Sequence, residues 1–204
     1  MKTAYRRLHI VVGVALAAIV LTGSSGLDAQ TVILVHPWNP VVGKGAVYQS
    51  VNGPQNLEIE LSTIGKQEVN GTDAYWIEFW TLETKTVEKY LLMLVDGDHG
   101  KRTQMMRMIR QRGDDHSVET GPESPAPNLD EIATPAGTED VTTPAGTFHC
   151  EHYRAKNGKW EAWFSPDVTP FGLVKTTNTE GTEMIVVGRI SDAKDRITSG
   201  SNER

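Results

Sequence analysis

The stretch 74–81, Ala74-Tyr75-Trp76-Ile77-Glu78-Phe79-Trp80-Thr81, decides how this chain is read. Tyr75, Ile77 and Phe79 fall on one side of a period of two, and Trp76, Glu78 and Trp80 fall on the other. Alternation of this kind belongs to a β-strand, whose successive side chains point to opposite faces. Asn70-Gly71 before it is a hairpin turn signal, and the apolar run 87–95 answers it before Asp96-Gly97-Asp98 closes the pair.

The same pattern extends in both directions. Upstream, Val47, Gln49 and Val51, then Leu57, Ile59 and Leu61 against Asn56, Glu58 and Glu60, form a hairpin turned by Asn52-Gly53-Pro54. Downstream, 103–111 sets Met105, Arg107 and Ile109 opposite Met106, Met108 and Arg110. Periodicity then lapses over 112–136. The segment 121–127, GPESPAP, is a loop, because proline has no amide donor for a sheet ladder. Residues 128–133 have room for one helical turn, with Asn128 as its cap. Strands resume at 139–142, 147–155, 159–165, 172–177 and 183–189, with Asn157-Gly158 as a turn.

About nine strands on short turns, with no long amphipathic helix, predict an all-β, mainly antiparallel fold. Several strands carry large apolar groups on both faces. The expected form is therefore a curved meander sheet, a half-barrel or open barrel with a Pro-rich loop, ahead of a two-sheet sandwich. A length of 204 residues with 38% hydrophobic and 23% charged residues suits one soluble domain.

The first residues have the layout of an export signal. Lys2, Arg6 and Arg7 precede an apolar run at 10–21, and small residues follow. That run is short for a membrane span, which needs about 20 apolar residues. The chain thus divides into a signal peptide at 1–29, an extended segment at 30–44, a single β domain at 45–190 and a polar, frayed tail at 191–204. The expected location is the periplasm or the exterior, with no stable membrane span after processing. The whole chain carries 20 Lys and Arg against 26 Asp and Glu. This acidic balance makes nucleic acid a poor partner. The single cysteine, Cys150, can form no internal disulfide and lies far from the cleavage region, where a lipid anchor would need one.

The stretches 36–48 (HPWNPVVGKGAVY), 141–153 (VTTPAGTFHCEHY) and 170–175 (PFGLVK) resemble an uncharacterised family of exported bacterial β-rich proteins. Its general look is similar to the LolA/LolB-like envelope proteins. That resemblance implies a curved antiparallel sheet around a hydrophobic cavity that receives acyl chains. It brings no catalytic residues, and this chain lacks the long helices that close such a cavity.

Among candidate site residues, Trp76, Trp80, Met93, Met106 and Met108 would line one concave surface if neighbouring strands pair in register. Methionine gives such a surface the adaptability that varied apolar ligands require. Cys150 and His152 share a strand face while His149 points away, too few ligands for a closed zinc site, so no metal or other cofactor is expected. Cys150 shares its face with Phe148 and reads as a buried small hydrophobe. Glu78, lying between two tryptophans, reads as a solvated or salt-bridged carboxylate; buried unpaired it would be costly, and Arg107 or Arg110 could pair it. Gly43-Lys44-Gly45 lacks the spacing of a phosphate loop.

These residues predict a non-enzymatic exported envelope protein that binds an apolar or lipid-like ligand on its curved sheet. The alternative is an assembly protein that engages an envelope partner through a sheet edge or the Pro-rich loop. A hydrolase using Cys150 or a carboxylate comes third. Export predicts that intact-mass measurement of the protein from its host finds a chain beginning at Gln30 or Leu27, with residues 1–29 or 1–26 removed.

Overall fold

Asn70 and Gly71 both have positive φ, 52° and 79°. That conformation gives a two-residue loop the right-handed twist of the strands it joins. It links β2 (Glu58–Val69) to β3 (Thr72–Thr81) in a computed structural model that describes residues 37–51, 57–97, 100–114, 117–121 and 125–197. The signal region 1–29 and the Asn52-Gly53-Pro54 turn lie outside the described residues. Around this hairpin are β1 (Gly45–Val51), β4 (Thr86–Gly97), β5 (Gly100–Arg112) and β6 (Val118–Thr120). The second half comprises α1 (Leu129–Ile132), β7 (Ala133–Thr143), β8 (Gly146–Ala155), β9 (Trp160–Phe164), β10 (Leu173–Asn178) and β11 (Glu183–Ile190).

All eleven strands belong to one sheet in the order β6-β5-β4-β3-β2-β1-β11-β10-β9-β8-β7. Every consecutive pair is hydrogen-bonded except β6 with β7, and β1 also pairs with β11, from Gly45↔Ile190 to Val51↔Glu183. The topology is an up-and-down barrel opened at one seam. Chain reach forces the curl. Eleven strands laid flat would put the edges about 48 Å apart, whereas the twelve residues 121–132, four of them helical, reach about 40 Å at most. The connection crosses the open seam against the neighbouring strands. Ala126 N donates to Thr103 O at 2.8 Å, and Arg102 pairs with Glu131.

One face of β1–β5 carries the main core: Tyr48, Ile59, Leu61, Ile77, Phe79, Tyr90, Leu92 and Met105, joined by Phe148, Cys150, Trp163, Val174 and Val186 from the second half. We call this the inner face of β1–β5. The chain fills it with its own aromatic groups. Phe171, from the turn before β10, stacks on Trp38 with centroids 5.8 Å apart and lies 6.4 Å from Phe79, while Trp38 meets Tyr75 edge-on. A second cluster, Leu129, Ala133, Ala162 and Phe164, seats α1. Asn128 stands at the N-cap of α1, but its side chain makes no capping hydrogen bond. Among the described residues no helix is long and apolar enough to cross a membrane.

The curved open sheet agrees with the periodicity, and three details differ from it. Among the described residues strands number eleven rather than about nine: β6 forms inside the stretch read as loop, and β7, read from 139, already begins there at Ala133. Pro135 is tolerated there because β7 is an edge strand with a register shift between Pro135 and Gly137, where a missing amide breaks little. The tail is not frayed through its first part: Asp195, Arg196 and Ile197 pack back onto the sheet, and Ile197 is buried. A register shift between Leu91 and Leu92 also breaks strict alternation along β5.

Because Phe171 fills the inner face and touches both Trp38 and Phe79, Phe171→Ala should lower stability by about 3–5 kcal/mol. Urea unfolding checks this as a lower midpoint with an unchanged slope.

Candidate functional site

The outer face of β3–β5 holds a small apolar cluster opposite the main core. Ala74 pairs with Met93 and Trp76 with Leu91. Ala74, Leu91 and Met93 are buried, and half-buried Val69, Trp76, Val95 and Met106 surround them. The shift at Leu91/Leu92 leaves Met106 unpaired between Met105↔Leu92 and Arg107↔Leu91, so Met106 packs with the outer cluster. Two cations cover the indole of Trp76: Lys89 Nζ lies 5.2 Å and the Arg107 guanidinium 5.6 Å from its centroid. Arg107 is held there by a bidentate pair with Glu119 at 2.6 and 2.7 Å. Trp76 Nε1 donates to Gln67 Oε1 at 3.0 Å.

Of the five residues grouped from sequence, Trp76, Met93 and Met106 come together here. Met108 does not. The same bulge turns it to the inner face, where it pairs with Tyr90 and packs on the main core. Trp80 shares the face of Trp76 but is covered by Arg196, whose guanidinium sits 4.2 Å from the ring centroid.

Glu78 is fully buried, and its partner is neither Arg107 nor Arg110. Arg196 Nη1 donates to Glu78 Oε1 at 2.7 Å and its backbone N–H donates to Oε2 at 3.0 Å, while Nη2 pairs with Glu60. Beside it Lys89 Nζ meets Asp195 Oδ2 at 2.6 Å. Arg110 serves a different buried carboxylate. It donates to Glu88 Oε1 at 2.5 Å, and Tyr90 donates its hydroxyl proton to Glu88 Oε2 at 2.6 Å. The alternation of Glu88, Tyr90 and Leu92 already signalled that inner-face position in the sequence. Nothing in the polar tail signalled Arg196.

Along β8, Phe148, Cys150 and His152 are buried while His149 and Glu151 are exposed, as strand alternation requires. Burial pushes the Cys150 thiol up to about 11, and its Sγ donates to Phe148 O at 3.4 Å. His152 Nε2 lies 2.6 Å from Glu161, its Nδ1 lies 3.4 Å from Glu139, and its ring stacks on Trp163 at 4.3 Å. His149 contacts Asp140 at 2.9 Å. Among the described residues no three His, Cys, Asp or Glu side chains converge as metal ligands; His99 and Asp98 lie outside them.

No protein-family model and no curated protein sequence matches this chain. Solved structures resemble it in shape. One, from Parabacteroides distasonis ATCC 8503 and described as a "putative lipoprotein", is 11% identical with a TM-score of 0.41, covering 76% of this chain and 99% of its own. Another, from Bacteroides fragilis NCTC 9343 and described as a "putative exported protein with YmcC-like fold", is 10% identical with a TM-score of 0.38, covering 74% and 97%. At such values the likeness is one of general shape.

Two measurements follow from these environments. A thiol held this high and buried should react with an aromatic disulfide reagent at neutral pH only as fast as the protein unfolds; rapid labelling of native Cys150 would contradict the geometry. Burial also holds the Glu78 carboxyl above the ordinary carboxylate range, with the hydrogen bonds and charge of Arg196 pulling it back only in part. The unfolded chain therefore ionises first as pH rises from about 4. The wild type should lose stability relative to Glu78→Gln through the raised value and run parallel to it above. Urea midpoints between about pH 4 and 8 measure that difference.

Proposed function

We propose that this is a non-enzymatic binding protein, exported to the periplasm or beyond, that takes an apolar or lipid-like ligand against the Trp76–Met93–Met106 face. The carrying observation is the ring of half-buried Val69, Trp76, Val95 and Met106 around Leu91. It leaves part of a large indole and a flexible thioether at the surface with two cations beside them. An apolar ligand body suits that arrangement, the two cations being already paired with Glu119 and Asp195. The inner face is a poorer receptor, because Trp38, Val168 and Phe171 occupy it.

The absence of catalysis is supported by the state of the reactive groups. Cys150 is a buried thiol held up to about 11, His149 and His152 are tied to carboxylates, and Glu78 is locked by Arg196. Export is supported by the basic start and apolar run of residues 1–29.

A fatty acid or an environment-sensitive apolar dye should bind saturably and change tryptophan fluorescence. Met106→Ser should weaken that binding on the order of tenfold and cost less stability than a fully buried position would, since contact area disappears from a half-buried wall. Met108→Ser is the control. It removes a group packed on the main core, so it should cost stability, about 2–5 kcal/mol, and leave affinity unchanged. Failure of the wild type to bind saturably would overturn the reading.

A further inference from the structure

The contacts of Arg196 amount to a complete recognition site. The guanidinium lies over the Trp80 ring, donates to Glu78 at 2.7 Å and pairs with Glu60. Glu78 has no exposed surface, so its charge depends on a cation arriving from outside the strand. Two anions and an indole around one planar cation are what arginine recognition needs. The flanking residues are read as well. Lys89, whose side chain is 8% exposed, binds Asp195, the backbone N–H of Arg196 donates to Glu78, and Ile197 is buried.

The link that leads to this segment is lightly attached. Ser191, Asp192 and Lys194 are exposed, and the backbone hydrogen bond from Ala193 N to Gly43 O ties the link to the domain. A short exposed link between a folded sheet and a specifically bound segment is the arrangement in which identical chains exchange that segment.

We infer that the outer face of β2–β4 is a docking site for an extended Asp-Arg-Ile segment, filled by the chain's own residues 195–197 in the monomer and by the same segment of a second copy on exchange. The second copy is the occupant because its tail already carries the acidic, guanidinium and apolar groups in the order that Lys89, the Glu60–Glu78–Trp80 recess and the site of Ile197 accept. Tethering gives the chain's own segment an effective concentration near millimolar. The monomer therefore prevails in dilute solution, and exchange grows with protein concentration. This inference does not depend on the apolar ligand, although the ligand face and the recess share Lys89.

The test uses two full-length variants with complementary defects. Arg196→Ala keeps the recess and loses the key. Glu60→Gln with Glu78→Gln keeps the key and loses the recess. Each alone should sediment as a monomer, and their mixture should give a heterodimer that a synthetic peptide of residues 191–204 disperses. The peptide should also bind Arg196→Ala saturably, about tenfold more tightly than a version with Ala at 196. Absence of both heterodimer and peptide binding, with the near-ultraviolet circular dichroism of Arg196→Ala unchanged, overturns the inference. Should Arg196→Ala fail to fold, a wild-type chain cut after folding at a protease site inserted in the link keeps the recess intact. Exchange of its severed segment for labelled peptide supports the inference, and failure to exchange overturns it.

Discussion

The pairing of β1 on both sides is the constraint from which the rest of the structure follows. Without it the chain would be two separate meanders, β1 to β6 and β7 to β11. β1 joins them by pairing with β2 and β11. Its first residue tolerates no side chain: a Cβ at Gly45 would fall 2.2 Å from Leu61 O and 2.7 Å from Ser62 Cα. Once the meanders are joined, the sheet edges are β6 and β7, which are also consecutive in sequence. The short connection between them then bends the sheet, and the bend encloses the core.

Curvature divides the polar requirements of the fold between two faces. Inside, Glu88 is satisfied by Tyr90 and Arg110 from its own and the neighbouring strand. Outside, Glu78 has Lys89 opposite it across the ladder, but Lys89 is engaged by Asp195, and the guanidinium that meets Glu78 comes from beyond the last strand. A buried carboxylate left unpaired is costly, so the pairing of Arg196 with Glu78 helps to hold residues 195–197 on the sheet.

The open seam is protected by composition. The edge strand β7 is exposed over most of its length, with a proline, a bulge and the charges of Glu139 and Asp140. These features discourage indiscriminate pairing with other strands. The charges also contact neighbouring strands, Glu139 accepting from Trp163 Nε1 at 2.7 Å and Asp140 meeting the exposed His149. The same residues thus blunt the edge and fix the hairpin behind it.

Period-two alternation and the Asn-Gly turns determined strand identity, antiparallel order, the face of Ile77 and Phe79 and the burial of Cys150, because those properties depend on neighbours two to four residues away. The meeting of Trp76, Met93 and Met106 depended on strand register as well, and it falls on the outer face rather than on the concave surface read from the sequence. Bulges were not legible, since one extra residue in a strand leaves no mark on composition, and the bulge opposite Leu91/Leu92 is what sends Met106 and Met108 to opposite faces. Nor was the pairing of Arg196 with Glu78, separated by 118 positions. Local patterns specify which way a side chain points; only the closed path of the backbone decides what waits for it there.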